Sequence, residues 1–139
     1  MEGTALVDTL AQTSLFADLT RPQLEAVAHE FEEEAFGEGQ KVLRQGLSGS
    51  GLYVILDGNA VVSRDGEEIA HLGRGDFFGE ISILTDGPPT SDIVAASLLR
   101  CLVIPRPAVE RFLLERPQVM LRMLRSEANR LRGMLEWRS

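Results

Sequence analysis

The sequence predicts a mainly β domain of sandwich, jelly-roll or small-barrel type, flanked by helices. Three observations carry that expectation. Short apolar segments recur at near-regular spacing from Gly37 to Ile104, divided by glycine-containing turns. Between two of them stands Asp65-Gly66, a strong hairpin signal, because a tight primed turn needs positive φ at both central residues. On either side of this stretch the apolar residues switch to helical spacing. At 139 residues, 44% hydrophobic and 25% charged, the chain has a one-domain length and enough apolar content to bury a core. The expected division is a single domain over 1–139, with the barrel over about 37–104 and C-terminal helices over about 107–137.

Taken in order, the first helix signal lies between Leu15 and Phe31. Thr20-Arg21-Pro22-Gln23 fits a capping box, with Thr20 as N-cap, Pro22 in the first turn and Gln23 reaching back. Leu19 and Leu24 are placed to form a hydrophobic staple, and Val27, Ala28 and Phe31 continue the helical face. The acidic run Glu32-Glu33-Glu34 reads as solvated surface rather than as a metal cluster. Strands are expected at 41–44, 52–56, 60–63, 68–72, 93–95 and 98–104. Gly46 to Gly51 lacks the lysine of a phosphate-binding loop and reads as a flexible hairpin loop. Pro107 can open a helix with Val109, Phe112 and Leu113 facing inward. Pro117 starts another, in which Leu121, Leu124, Ala128, Leu131 and Leu135 step by three, four, three and four. That seam suits either a partner helix, and so a homodimer, or the barrel itself. Met120, Met123 and Met134 lie off the seam and offer a second face for the barrel.

Charge and composition exclude several classes. The net charge of −7 argues against nucleic-acid binding by this chain, since phosphate neutralisation needs a basic surface. The charge is uneven: residues 1–110 carry 7 Lys/Arg against 18 Asp/Glu, and residues 111–139 carry 7 Arg against 3 Glu. No apolar run approaches the ~18 residues of a membrane span, and no basic-then-apolar leader is visible, so a cytoplasmic protein is expected. Cys101, the one cysteine, sits in an apolar strand and reads as an inert buried thiol. His29 and His71 fall in different elements without carboxylate company. No catalytic or metal-binding constellation is expected, and no enzyme.

The informative segment runs from Gly75 to Asp92. Gly79-Glu80-Ile81-Ser82 reads as the start of a short helix, with Gly79 permitting close backbone approach. Amide donors at a helix start favour an anion, while Glu80 accepts hydrogen bonds from hydroxyls. Side by side they suit a sugar phosphate; a tight turn carrying an exposed glutamate is the alternative reading.

These residues, with Arg44-Gln45-Gly46 and Leu52-Tyr53-Val54-Ile55-Leu56-Asp57-Gly58 upstream, resemble the cyclic-nucleotide-binding domain family over nearly the whole chain. The resemblance implies an eight-stranded antiparallel jelly-roll barrel with flanking helices, a non-enzymatic regulatory role, and cyclic AMP or cyclic GMP as ligand. By family match, Gly79 is the residue of close ligand approach and Glu80 the ribose acceptor. Ile81 and Ser82 follow in the same motif, and Thr90 is the small hydroxyl residue near the cyclic phosphate. The family's phosphate-pairing arginine falls at Pro89, which has neither a guanidinium nor an N–H to offer. A charged hydrogen bond is worth about 1.5–3 kcal/mol, roughly ten- to 150-fold in affinity. Cyclic AMP binding is therefore expected to be weakened or lost unless another cation, such as Arg74 or Arg100, substitutes. In one branch of the family, hydroxyl side chains late in the last helix meet the base; the corresponding stretch here, Gly133-Met134-Leu135, offers no hydroxyl, and Trp137 reads as a stacking lid, a frayed end or a dimer contact. With no DNA-binding or kinase-inhibitor segment in view, the chain is expected to be a sensor module or an excerpt of a larger protein.

Overall fold

The computed structural model describes the backbone of residues 2–47 and 51–138, and side chains over 5–47 and 51–135. Among the described residues, five helices and eight strands follow one another along the chain. Helix α1 (Glu2–Ala11), a 3-10 turn (Ser14–Phe16) and α2 (Arg21–Glu30) precede β1 (Glu32–Phe36), β2 (Lys41–Leu43), β3 (Gly51–Asp57), β4 (Ala60–Arg64), β5 (Glu67–Leu72) and β6 (Phe77–Phe78). Then come α3 (Glu80–Leu84), β7 (Asp92–Ala95), β8 (Leu99–Pro105), α4 (Arg106–Glu115) and α5 (Pro117–Arg138). The strands pair antiparallel as two four-stranded sheets, ordered β1-β8-β3-β6 and β2-β7-β4-β5. Among the described residues no ladder joins the two sheets, so they face each other without closing into one barrel.

Period-two alternation in β3 and β8 explains how the layers adhere. Tyr53, Ile55, Leu99 and Cys101 point into the space between the sheets, where they meet Leu43, Ala60, Phe78, Ile93 and Ala95. Leu52, Val54, Leu56, Leu102 and Ile104 point the other way and are covered by α1, the 3-10 turn, α2, α4 and α5 through Leu10, Phe16, Val27, Phe112 and Val119. Strand β3 is therefore buried on both faces, which is why it reads as an unbroken apolar run.

The local signals in the sequence correspond to the observed elements. Thr20 caps α2 in a reciprocal capping box with Gln23. Asp65 (φ 54°) and Gly66 (φ 82°) form the β4–β5 turn. Proline opens α4 and α5. Strand β1, strand β6 and helix α1 were not expected from the sequence. Glu32–Glu34 is solvent-exposed, but it is also edge strand β1, bound to β8 and spanned by the Glu33–Arg100 ion pair. β6, only two residues long, and α1 carried too short or too weak a pattern to be read. The leucine seam of α5 does not pack on the sheets: Leu121, Leu124, Leu131 and Leu135 are exposed, and Val119 and Met123 face the core instead. Of the three methionines off the seam, Met120 and Met134 are also exposed.

Candidate functional site

A cavity of about 460 Å³ opens where β6 and α3 face β4, β5 and the loop before β7. Gly79, Glu80, Ile81, Ser82, Pro89 and Thr90 all line it, so the fold brings together all six residues singled out in the sequence. Leu43, Phe78 and Ile93, from the core between the sheets, form its apolar floor.

Gly79 makes the corner between β6 and α3. Its φ of 94° is open to glycine at little cost, and a Cβ there would lie 2.2 Å from the Gly51 carbonyl oxygen. The helix consequently starts hard against β3, with Glu80 and Ser82 turned inward and 3% exposed each, while Ile81 stays at the rim. Ser82 Oγ donates to the Gly79 carbonyl at 3.3 Å.

Glu80 meets α5. Arg130 Nη1 lies 4.0 Å from Glu80 Oε2 and 3.6 Å from Glu127 Oε1, with its guanidinium 5.3 Å above the centre of the Phe77 ring. Burial is the largest cause raising the Glu80 carboxyl, to about 8; the hydrogen bond and like charge of Glu127 raise it further, and its own backbone and Arg130 pull it down. Two ionised carboxylates would leave Glu80 Oε2 and Glu127 Oε1 buried without a donor. A proton kept on Glu80 would let its carboxyl donate to Glu127.

On the opposite wall, Pro89 is buried and its carbonyl accepts the Gly46 N–H at 2.9 Å. The Thr90 carbonyl accepts from Arg64 Nε at 3.3 Å. Gln45 binds the hairpin tip twice, taking the Asp65 N–H at 3.0 Å and donating to Asp65 Oδ1 at 2.9 Å. Asp92 accepts the Gln45 N–H at 2.7 Å and pairs with Lys41 at 3.3 Å; these contacts hold its carboxyl below the usual range.

Neither cation named in the sequence as a substitute reaches the cavity. Arg74 donates to Gln12 at 3.2 Å and Arg100 pairs with Glu33, both outside the cavity wall. Arg64 and Arg130 line it instead. Nothing in one dimension marks Arg64, which closes an ordinary hairpin strand. The contribution of α5 arrives at Arg130, about one turn before the Gly133–Leu135 stretch, which does not line the cavity. The Trp137 side chain and residues 48–50 of the glycine-rich loop lie outside the described residues.

Elsewhere, Cys101 is fully buried and its thiol is pushed up to about 12 by that burial. His29 is exposed, and His71 reaches the cavity rim with its side chain largely in solvent. Among the described residues no cluster of His, Cys, Asp or Glu is arranged to hold a metal, and no helix is long and apolar enough to cross a membrane.

The profile of the family described as "Cyclic nucleotide-binding domain" matches residues 33–116. A cGMP-dependent protein kinase of Toxoplasma gondii is 34% identical over 119 residues, 86% of this chain and 12% of the kinase. A CRP-like cAMP-activated global transcriptional regulator of Mycobacterium tuberculosis is 30% identical over 130 residues, 90% of this chain and 58% of the regulator. The chain thus spans less than two thirds of either relative. Among solved structures, the catabolite activator protein of Thermus thermophilus superposes with a TM-score of 0.78 at 28% identity, covering 88% of this chain and 61% of that one.

Proposed function

The chain belongs to the cyclic nucleotide-binding domain family, and from that membership we propose that it is a non-enzymatic regulatory module whose cavity receives a cyclic nucleotide, with cyclic AMP affinity weakened by Pro89. Cyclic AMP and cyclic GMP are the ligand candidates, in line with the cyclic nucleotides for which the two relatives are named. In this reading the two facing sheets follow a jelly-roll winding. Glu80 receives the ribose hydroxyl, Gly79 gives the ligand close access to the backbone, Ile81 and Ser82 flank it, and Thr90 borders the phosphate. The module works as a homodimer through the α5 seam. Nucleic acid and membrane are not its partners, and its location is cytoplasmic.

The observation that carries the reading is Pro89 in the wall of the cavity, its one backbone polar group already committed to Gly46. A phosphate there meets neither a side-chain donor nor an amide from residue 89. Calorimetric titration with cyclic AMP and cyclic GMP tests it. Wild type binds weakly, and Pro89→Arg tightens cyclic AMP binding roughly ten- to 150-fold, the worth of a charged hydrogen bond. Low-micromolar cyclic AMP affinity in the wild type overturns the proposal.

A further inference from the structure

Among the described residues, three able to carry positive charge line the cavity: Arg64, His71 and Arg130. Arg130 is committed to Glu80, Glu127 and the face of Phe77. His71 stands in solvent, 3.9 Å from Glu68. Arg64 differs from both. It closes β4, and its Nε–H···O bond to Thr90 directs the guanidinium at the 89–91 loop. Among the described residues no carboxylate pairs with it, and the Thr90 carbonyl takes only one of its five N–H donors. The hairpin tip beside it is tied to that loop through residues 45–46. Gln45 clamps the adjacent Asp65, while the neighbouring Gly46 N–H binds the Pro89 carbonyl.

We propose that Arg64 is the cation with which this cavity neutralises a phosphate-bearing ligand, reaching in from β4 rather than from position 89. This rests on the reading of the cavity as a cyclic nucleotide site and names the residue that gives it anion preference. The free Nη donors form a fork suited to phosphate oxygens. Arg64 is exposed, so its attraction is screened by water and salt, which accords with weakened rather than abolished binding.

The test compares cyclic AMP with adenosine, which has the same base and sugar without the phosphate, by calorimetry on wild type, Arg64→Gln, Arg74→Gln and Pro89→Arg. Wild type and Arg74→Gln prefer cyclic AMP by roughly tenfold, and the preference shrinks as salt is raised. Arg64→Gln binds the two equally, with its adenosine affinity and melting temperature unchanged. A cyclic AMP preference that survives in Arg64→Gln, or equal affinities in the wild type, overturns the assignment of Arg64 and leaves the proposed function standing. Binding of cyclic AMP by Pro89→Arg alone likewise removes Arg64 as counterion. Failure of every form to bind cyclic AMP overturns the cyclic nucleotide reading and the Arg64 assignment together.

Discussion

Glu80 is the residue whose surroundings say most about the site. Its carboxyl is buried beside Glu127 and raised to about 8, whereas in the unfolded chain it titrates near 4.5. Between those values the folded protein keeps a proton that the unfolded chain has released. Its contribution to stability is therefore fully present at low pH, falls as pH rises through the window and levels off above it. Glu80→Gln removes that titration, so the variant's melting temperature gains on the wild type between pH 5 and pH 8. Parallel pH profiles for the two proteins would show that burial does not perturb Glu80. The motif Gly79-Glu80-Ile81-Ser82 was legible in the sequence because glycine freedom and an early acidic residue in a short helix are local matters. The pairing of Glu80 with Glu127, 47 positions away, was not, since no local preference encodes which turn of a later helix lands on an earlier one. Arg64 stayed hidden for the same reason: its proximity to the Thr90 carbonyl exists only once hairpin and loop are docked.

The elements were readable where they obey a local rule and obscure where they depend on neighbours. The α2 cap and the β4–β5 turn follow from side-chain and backbone chemistry within four residues. β1 went unread because three consecutive glutamates have low strand preference, yet at a sheet edge their charge protects the unpaired side of the strand. The apolar period of α5 was visible, but the face that packs inward was not decided by it. Val119 and Met123 take the core side, leaving Leu124 and Leu131 63% and 57% exposed. An exposed leucine row on a 22-residue helix is the basis for expecting a dimer. Leu124→Glu or Leu131→Glu is expected to give a monomer of unchanged melting temperature in analytical ultracentrifugation, against a dimeric wild type. A monomeric wild type at high concentration removes the dimer from the proposal.

At the scale of the whole molecule, β3 and β8 couple the helical layer to the second sheet, because each supplies alternate side chains to both cores. Leu102 sits fully buried on the helix side and Cys101 fully buried on the sheet side of the same strand. Leu102→Ala is expected to cost about 2–5 kcal/mol, as cavity-forming leucine truncations do. Loss of helical circular dichroism and labelling of the Cys101 thiol are then expected to share one denaturant midpoint, in variant and wild type alike. Separate midpoints would mean that the helices and the facing sheets unfold independently.

By itself the sequence determined the mainly β class, the flanking helices and the corner at Gly79, because turns, caps and periodicity are set by residues a few positions apart; the family followed from the resemblance of its motifs. It also showed that position 89 lacks a cation. The tertiary structure alone decided that the strands divide into two sheets, that α5 meets Glu80 through Glu127 and Arg130, and that Arg64 rather than Arg74 or Arg100 faces the cavity. Those outcomes depend on which buried faces fit together across long chain separations, and the packing of whole layers selects them.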